Sequence, residues 1–348
     1  MATKKASPVR LGVIGLTHDH VWDNLKDLKS NRDAVLVAVS DEIEPLRERA
    51  VKEYGVRAHA SAQDLLEGET LDAVLIYGDN AEGEIAAILA ADAGLDVLIE
   101  KPMAATLAGA DEMIATARNA KTRLMVNWPT VWWPQLQQAI KLVEQGAIGR
   151  VWQTKYRAAH CGPKEMGASS FFCEWLYDVD RNGGGALIDY CCYGAAMARF
   201  FLGVPSRVTA MSGRLCKEDI VVEDNAVLLM QYPGGLSIAE ASWTQVGYMS
   251  SYFTSIYGTE GTLIVEPGAE GKLMLATEKE PYGKAVKVPK PAPHLRNATA
   301  HFVHCLQTGE AFHPLCQDRV ARDAQEILEA GLIAAETGNA VSLPLSVG

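Results

Sequence analysis

No run of about 18 apolar residues occurs anywhere in this 348-residue chain, which argues against a membrane-spanning helix. The polar start Met1-Ala2-Thr3-Lys4-Lys5-Ala6-Ser7-Pro8 leads straight into an apolar segment, without the longer apolar stretch of a secretory signal. CxxC pairs are missing as well. The seven cysteines, Cys161, Cys173, Cys191, Cys192, Cys216, Cys305 and Cys316, are odd in number, so neither a disulfide framework nor a structural zinc site is indicated. Free thiols suit a reducing compartment, and the expected location is the cytoplasm. Positive charge is scarce: 32 lysines and arginines stand against 43 aspartates and glutamates, a formal net charge of -11. Phosphates would be repelled over most of such a surface, which speaks against nucleic acid or an anionic membrane as partner and for a small neutral molecule.

Apolar material, by contrast, is plentiful at 48% of residues, and 348 residues exceed a comfortable single core. Two domains are expected, residues 1–127 and 128–348. In the first, apolar runs alternate with helix-patterned segments. Val9 to Gly15, Ala34 to Asp41, a short stretch near Ala58, Asp72 to Ile76, Asp96 to Ile99 and Arg123 to Asn127 read as strands. The segment carrying Val21, Leu25 and Leu28, then Pro45 to Tyr54, Ala62 to Leu66, Glu82 to Ala93 and Leu107 to Asn119 read as helices. This alternation predicts an α/β fold with a parallel, doubly wound sheet. From Val151 the texture becomes β-rich: Trp152 to Ala159, Arg207 to Leu215, Ala226 to Tyr232, Leu236 to Thr244, Phe253 to Tyr257 and Gly261 to Val265 predict an α+β domain with a large open antiparallel or mixed sheet. Lys279 to Pro293, rich in lysine and proline, reads as a loop.

The chemistry concentrates at two places. Glu100-Lys101-Pro102 closes a buried strand at its carboxyl end, where ligands bind in α/β sheets. Downstream, Gly183-Gly184-Gly185 leads into Ala186-Leu187-Ile188-Asp189-Tyr190-Cys191-Cys192-Tyr193, and helical spacing puts Asp189 and Tyr193 on one face. Lys101, Asp189 and Tyr193 together would form a proton-handling site. A dinucleotide fingerprint would read Gly-x-Gly-x-x-Gly from Gly15, yet the chain reads Gly15-Leu16-Thr17-His18-Asp19-His20, with two of the three glycines absent. Backbone N–H groups at the helix start still face an anion, and Thr17 adds a hydroxyl. His18 and His20 are candidates for phosphate contact. A His-x-His pair without a third ligand nearby is read as capping or packing, so no metal is assigned. Asp41, 26 residues after Gly15, is placed to accept hydrogen bonds from ribose hydroxyls, and with Glu42 and Glu44 beside it NAD is expected rather than NADP.

In Glu100-Lys101-Pro102, Gly146-Ala147-Ile148-Gly149-Arg150-Val151, the Gly183 to Tyr193 segment, Tyr257-Gly258-Thr259-Glu260-Gly261-Thr262-Leu263 and Gly338-Asn339-Ala340-Val341-Ser342-Leu343-Pro344, the chain resembles the glucose-fructose oxidoreductase, inositol dehydrogenase and rhizopine catabolism (Gfo/Idh/MocA) family from Val9 to about Leu345. The resemblance implies a Rossmann domain holding a nicotinamide cofactor, followed by an α+β domain whose open sheet serves as an oligomer interface, giving a homodimer or homotetramer. It implies that Lys101 sits beside the nicotinamide and the substrate hydroxyl, that the Lys101–Pro102 bond is open to the cis form, that the family aspartate is Asp189, and that the acid/base residue is Tyr193. A phenolate beside an ammonium would suit that role. Cofactor contacts are then expected from Gly15, Thr17, His18, His20, Asp41, Glu100 and Lys101.

The chain also departs from the family pattern. After the fourth strand, Ile76-Tyr77-Gly78-Asp79-Asn80 keeps only the asparagine, and Asn80 is carried over as a cofactor contact. Past the sixth strand, Asn127-Trp128-Pro129-Thr130-Val131-Trp132-Trp133 offers tryptophans, which stack on sugar faces, instead of an arginine. Expected substrate contacts are Lys101, Trp128, Tyr156, His160, Asp189 and Tyr193; His294, Arg296 and Asn297 are candidates to close over the pocket. The leading expectation is an NAD-dependent oxidation or reduction of a secondary hydroxyl on a sugar, cyclitol or sugar derivative. The alternatives are glycoside cleavage through transient oxidation with retained NAD, and a non-catalytic relative that binds sugar or nucleotide.

Overall fold

The computed structural model describes residues 7–249, 251–268 and 270–345; of the polar start, residues 1–6 lie outside the described residues. Six strands, β1 (Val9–Ile14), β2 (Ala34–Ser40), β3 (Arg57–His59), β4 (Ala73–Ile76), β5 (Asp96–Glu100) and β6 (Leu124–Asn127), pair in parallel in the order β3-β2-β1-β4-β5-β6. β4 and β6 are buried along their whole length, as continuous apolar runs in a sheet covered on both faces should be. The order reverses between β1 and β4, which opens a crevice above their carboxyl ends.

The covering helices α1 (His20–Ser30), α2 (Glu44–Tyr54), α3 (Ala62–Gly68), α4 (Asn80–Asp92) and α5 (Leu107–Ala120) start where the sequence supplies acceptors. Ser61, Asp79 and Thr106 cap α3, α4 and α5 through the amides of Asp64, Glu82 and Gly109. α1 buries Val21, Leu25 and Leu28, the spacing read from the sequence. α6 (Pro134–Glu144) then leads to the second part of the chain.

There, β7 (Val151–Ala159), β8 (Arg207–Gly213), β9 (Asn225–Tyr232), β10 (Gly235–Ser242), β11 (Tyr252–Gly258), β12 (Gly261–Val265), β13 (Leu273–Thr277), β14 (Glu280–Val286) and β15 (Val341–Ser342) form one sheet in the order β14-β13-β12-β11-β7-β10-β9-β8-β15. It is mixed because β10 runs parallel to β7, while the other pairs are antiparallel. Part of the expected late loop is therefore the strand β14, in a hairpin with β13. Pro281 and Lys284 look loop-like, but an edge strand has one side without partners and tolerates both residue types.

Short helices α7 (Ser170–Leu176) and α8 (Val179–Asn182) precede the glycine run, and α9 (Cys192–Leu202) lies across β7 and β10. α10 (Ala298–Thr308) returns to pack on α1 and β1, where Asn297 donates to Asp27 at 2.7 Å. α11 (Asp318–Thr337) packs on α5, α9 and β8, and its Glu329 accepts from the Leu107 amide at 2.9 Å. The last helices thus tie the two sheets together.

Glycine sets how closely α9 approaches the sheet. A Cβ at Gly194 would stand 2.4 Å from the Ala239 Cβ and 3.2 Å from that of Tyr156. Substituting Gly194→Val should therefore destabilise the fold by about 1–3 kcal/mol through overpacking. Urea unfolding measures this, and an unchanged midpoint would show that α9 has room to move away.

Candidate active site

Between the two sheets lies a cavity of about 330 Å³ that Lys101, Tyr156, His160, Asp189 and Tyr193 all help to line. Lys101 stands at the carboxyl end of β5, after which its peptide bond to Pro102 is cis. It is 4% exposed, and its Nζ donates to Asp189 Oδ1 at 2.6 Å. Burial pulls the ammonium's pKa down, but the Asp189 carboxylate, with Cys192 and Glu100, outweighs burial and holds it above its ordinary value.

Asp189 and Tyr193 do not share one regular α-helix: Tyr193 lies in the first turn of α9 and Asp189 ahead of it. Leu187–Cys191 forms a π-turn ahead of α9, and this wider turn brings Asp189, Tyr190 and Tyr193 all to the cavity. Tyr193 stacks on Tyr156 with ring centroids 5.6 Å apart and meets Trp128 edge-on at 5.8 Å. Lys101 Nζ lies 5.3 Å from the Tyr193 ring centroid, over the ring face. The expected phenolate is not favoured: burial first, then the electrostatic influence of Cys192, Glu100 and Asp189, pushes the Tyr193 hydroxyl well above its ordinary pKa. Tyr193 is a neutral phenol here.

Tyr190 is the residue the sequence reading passed over. Its hydroxyl lies 2.6 Å from His160 Nε2 and 3.2 Å from the Tyr252 hydroxyl. The Gly162 amide donates to His160 Nδ1 at 2.8 Å, so in the neutral ring the proton sits on Nε2 and points at Tyr190. Burial lowers the His160 pKa, which keeps that ring neutral. Tyr190 then donates onward to Tyr252, which also lines the cavity. The only sequence signal was that Tyr190 and Tyr193 stand three residues apart.

Other expected contacts fall elsewhere. Trp128 is 2% exposed and lies behind Tyr193, so it supports the wall, while Trp133 faces the cavity. His294 stacks on His304 and Asn297 caps α10; neither they nor Arg296 line the cavity. His18 and His20, by contrast, do line it.

The second cavity, about 320 Å³, is the crevice at the β1/β4 reversal, lined among others by Gly15, Thr17, Ser40, Asp41, Glu82 and Arg181. Gly15 has φ +80, and a Cβ there would stand 2.2 Å from the Gly78 amide nitrogen, so this one glycine of the turn is required. The rest of the turn is held by other means. Asp41 accepts from the Leu16 amide at 2.6 Å and the Ile43 amide at 2.7 Å, and the His18 amide donates to Tyr77 O at 2.9 Å. Thr17 Oγ1 and Ser40 Oγ are buried here without hydrogen-bond partners. Two such hydroxyls, the amides opening α1 and the Asp41 carboxylate make a donor and acceptor set that fits a dinucleotide.

Asn80 does not point freely into this crevice. Its side-chain amide donates to Asn182 O at 3.0 Å and Asn182 Oδ1 at 2.8 Å. Asn182, fully buried, donates in turn to Leu176 O and Gly184 O, the latter at 2.6 Å. Together with the Arg181–Asp79 ion pair at 2.7 Å, it fastens α4 to the glycine run. Asn182→Ala removes the side-chain donor from Leu176 O and Gly184 O, while Asn80 keeps its bond to the Asn182 backbone carbonyl, and should cost about 1–3 kcal/mol per uncompensated group. Thermal unfolding together with urea titration would read the loss, and stability within a few tenths of wild type would contradict this accounting.

Residues 9–128 match the family model described as "Oxidoreductase family, NAD-binding Rossmann fold", and residues 136–264 match the "GFO/IDH/MocA C-terminal domain". D-apiose dehydrogenase from Paraburkholderia graminis is 26% identical over 97% of this chain and 89% of its own length. Myo-inositol 2-dehydrogenase from Thermotoga maritima is 24% identical over 78% of this chain and 79% of its own. The crystal structure of the WlbA dehydrogenase from Bordetella pertussis in complex with NADH and UDP-GlcNAcA superposes with a TM-score of 0.81 at 22% identity, covering 97% of this chain and all (100%) of that one. With both domain models matched in order over these two sheets, the chain belongs to the Gfo/Idh/MocA family of oxidoreductases, and its first domain is of the NAD-binding Rossmann type.

Proposed function

We propose that this chain is an NAD-dependent oxidoreductase acting on a secondary hydroxyl of a sugar, cyclitol or sugar derivative. The observation that carries the reading is the Lys101–Asp189 pair, which joins the end of β5 to the π-turn ahead of α9 in an aromatic-lined cavity beside the crevice. Aromatic faces suit the C–H faces of a sugar ring, and the hydroxyls of Tyr190 and Tyr252 suit its oxygens. A bound nicotinamide would accept or return the hydride.

The chain's own residues would manage the proton. In reduction, the Lys101 ammonium donates to the forming alkoxide. In oxidation it must first lose a proton, and Asp189 Oδ1, 2.6 Å away, is the acceptor in place. Tyr193 holds the substrate oxygen as a neutral hydroxyl group. Arg47 donates to Asp41 O at 2.7 Å and Glu42 O at 2.9 Å, and beside those two acids a 2′-phosphate would meet mostly negative charge, which supports NAD over NADP. The outer face of β8, β9 and β10 exposes Met211, Leu229 and Leu236, with Met211 82% exposed, which supports a homodimer or homotetramer. Seven unpaired cysteines support a cytoplasmic location. No helix among the described residues is long and apolar enough to cross a membrane.

A panel of aldoses, cyclitols and glycosides assayed at the nicotinamide absorbance band tests the reading: net NADH should accumulate with one class. Product release with the absorbance returning to baseline would instead favour glycoside cleavage with retained cofactor. With the active substrate, Lys101→Ala should lower kcat by on the order of 10²-fold or more, and unchanged kcat would remove Lys101 from the chemistry.

Glu82 lines the crevice and burial, then Asp79, raises its carboxyl pKa to about 7. It is neutral below that pH and charged above it, close to Asp41. NAD affinity should therefore weaken several-fold between about pH 6 and pH 8 as repulsion of the diphosphate develops, and Glu82→Gln should flatten the profile. Fluorescence titration at each pH measures this; an identical slope in the variant would rule out Glu82 as its source.

A further inference from the structure

The sequence places only two histidines at the start of α1, but the fold brings a third donor to them. One ligand atom from each of His18, His20 and Glu100 lies within 4.8 Å of the other two. His18 is 1% exposed, and its Nε2 has no hydrogen-bond partner. Its Nδ1 accepts from the His20 amide at 3.2 Å, so for Nε2 to ligate a cation the ring must move its proton to Nδ1 and give up that hydrogen bond. His20 Nδ1 is also buried and without a hydrogen bond, although Glu100 Oε2 is 3.4 Å away. A simple His20–Glu100 ion pair would leave His18 unexplained, with its ring centroid 4.5 Å from that of His20.

Glu100 is held in the manner of a ligating carboxylate. Its Oε1 accepts from Asn127 Nδ2 at 2.6 Å, and Asn127 Oδ1 accepts from Trp132 Nε1 at 2.9 Å. Lys101, the nearby cation, is already matched by Asp189, so the Glu100 charge is left over. The site borders the cavity, which His18, His20 and Lys101 all line.

We infer that His18, His20 and Glu100 bind a divalent transition cation of the zinc, cobalt or manganese class, with its open positions turned to the cavity and available to two neighbouring oxygens of a substrate. Two imidazoles and one carboxylate suit that class better than magnesium or calcium, which prefer all-oxygen sets. Bonds of about 2.0–2.2 Å put ligand atoms roughly 3–3.5 Å apart, so the set must contract. His20 can supply that movement, since its side chain is 44% exposed. A cation there would favour substrates that chelate, such as vicinal diols and α-hydroxy acids.

The test uses the untagged, chelator-treated full-length chain titrated with Zn²⁺ by calorimetry and with Co²⁺ by visible absorption. Binding of about one equivalent per chain is expected, weakened about tenfold or more by His20→Ala and again by Glu100→Gln, and unchanged by His304→Ala in the separate stacked histidine pair. Absence of stoichiometric binding, or binding equally affected by all three variants, would overturn the site. NAD titration of the metal-free wild-type protein, whose crevice contacts at Gly15, Thr17 and Asp41 lie outside the proposed ligand set, reports on the dinucleotide reading, so failure of metal binding leaves that reading standing.

Discussion

The buried contact between Lys101 and Asp189 is the constraint on which the arrangement of this molecule rests. Each residue is about 5% exposed or less, Lys101 at the end of a strand of the first sheet and Asp189 in the π-turn ahead of α9, so the two buried charges stay matched only while the two parts of the chain keep one relative position. Removing water from two charges costs several kcal/mol per ion, and a pair so placed adds little stability over an apolar one. Its consequence is positional: a single, fixed ammonium–carboxylate pair on the wall of the cavity between the two sheets.

The surrounding polar contacts serve the same placement. Asn80 with Asn182 and Asp79 with Arg181 fasten the start of α4 to the glycine run that leads into Asp189. At the other side of the cavity, Asp19 beside the histidines accepts from the Ser169 amide at 2.7 Å, joining α1 to the cap of α7. These contacts cross from one domain to the other around the rim of the site. A Cβ at Gly183 would stand 2.3 Å from Ala105 O, so the first glycine of the run allows the backbones of the two domains to touch.

The parallel sheet was legible because buried parallel strands are nearly uniform apolar runs, and β1, β2, β4, β5 and β6 all show one. Edge strands carry no such signal, which is why β14 was read as a loop. Lys101 and Asp189 were legible from their positions, a strand end and a glycine-led helix. The π-turn was not, because the extra residue it accommodates arises from packing against the second sheet, where the Cys191 thiol meets Ala239 O at 3.6 Å; Tyr190 was hidden with it. Asp41 shows a different limit: the carboxylate stands where the spacing put it, but the Leu16 amide of the altered turn and the Ile43 amide of its own loop already use it. A braced carboxylate can stand in for missing glycines, and no spacing rule announces that.

The aromatic lining adds a constraint on the chemistry. Tyr156, Tyr190 and Tyr193 are all pushed well above the ordinary phenol pKa, with burial the first cause in each, so none of the three supplies a ready phenolate. The hydrogen-bond order His160 to Tyr190 to Tyr252 follows from the Gly162 amide fixing the imidazole tautomer, and it leaves the Tyr252 hydroxyl hydrogen as the free donor at the end of the chain. Neutral hydroxyl donors on one side and a single ammonium–carboxylate pair on the other give the cavity direction. A ring with several hydroxyls can then be held by acceptors and donors it can match while only one of its oxygens meets the charged pair, and this is how a site of this composition would select one carbon for oxidation.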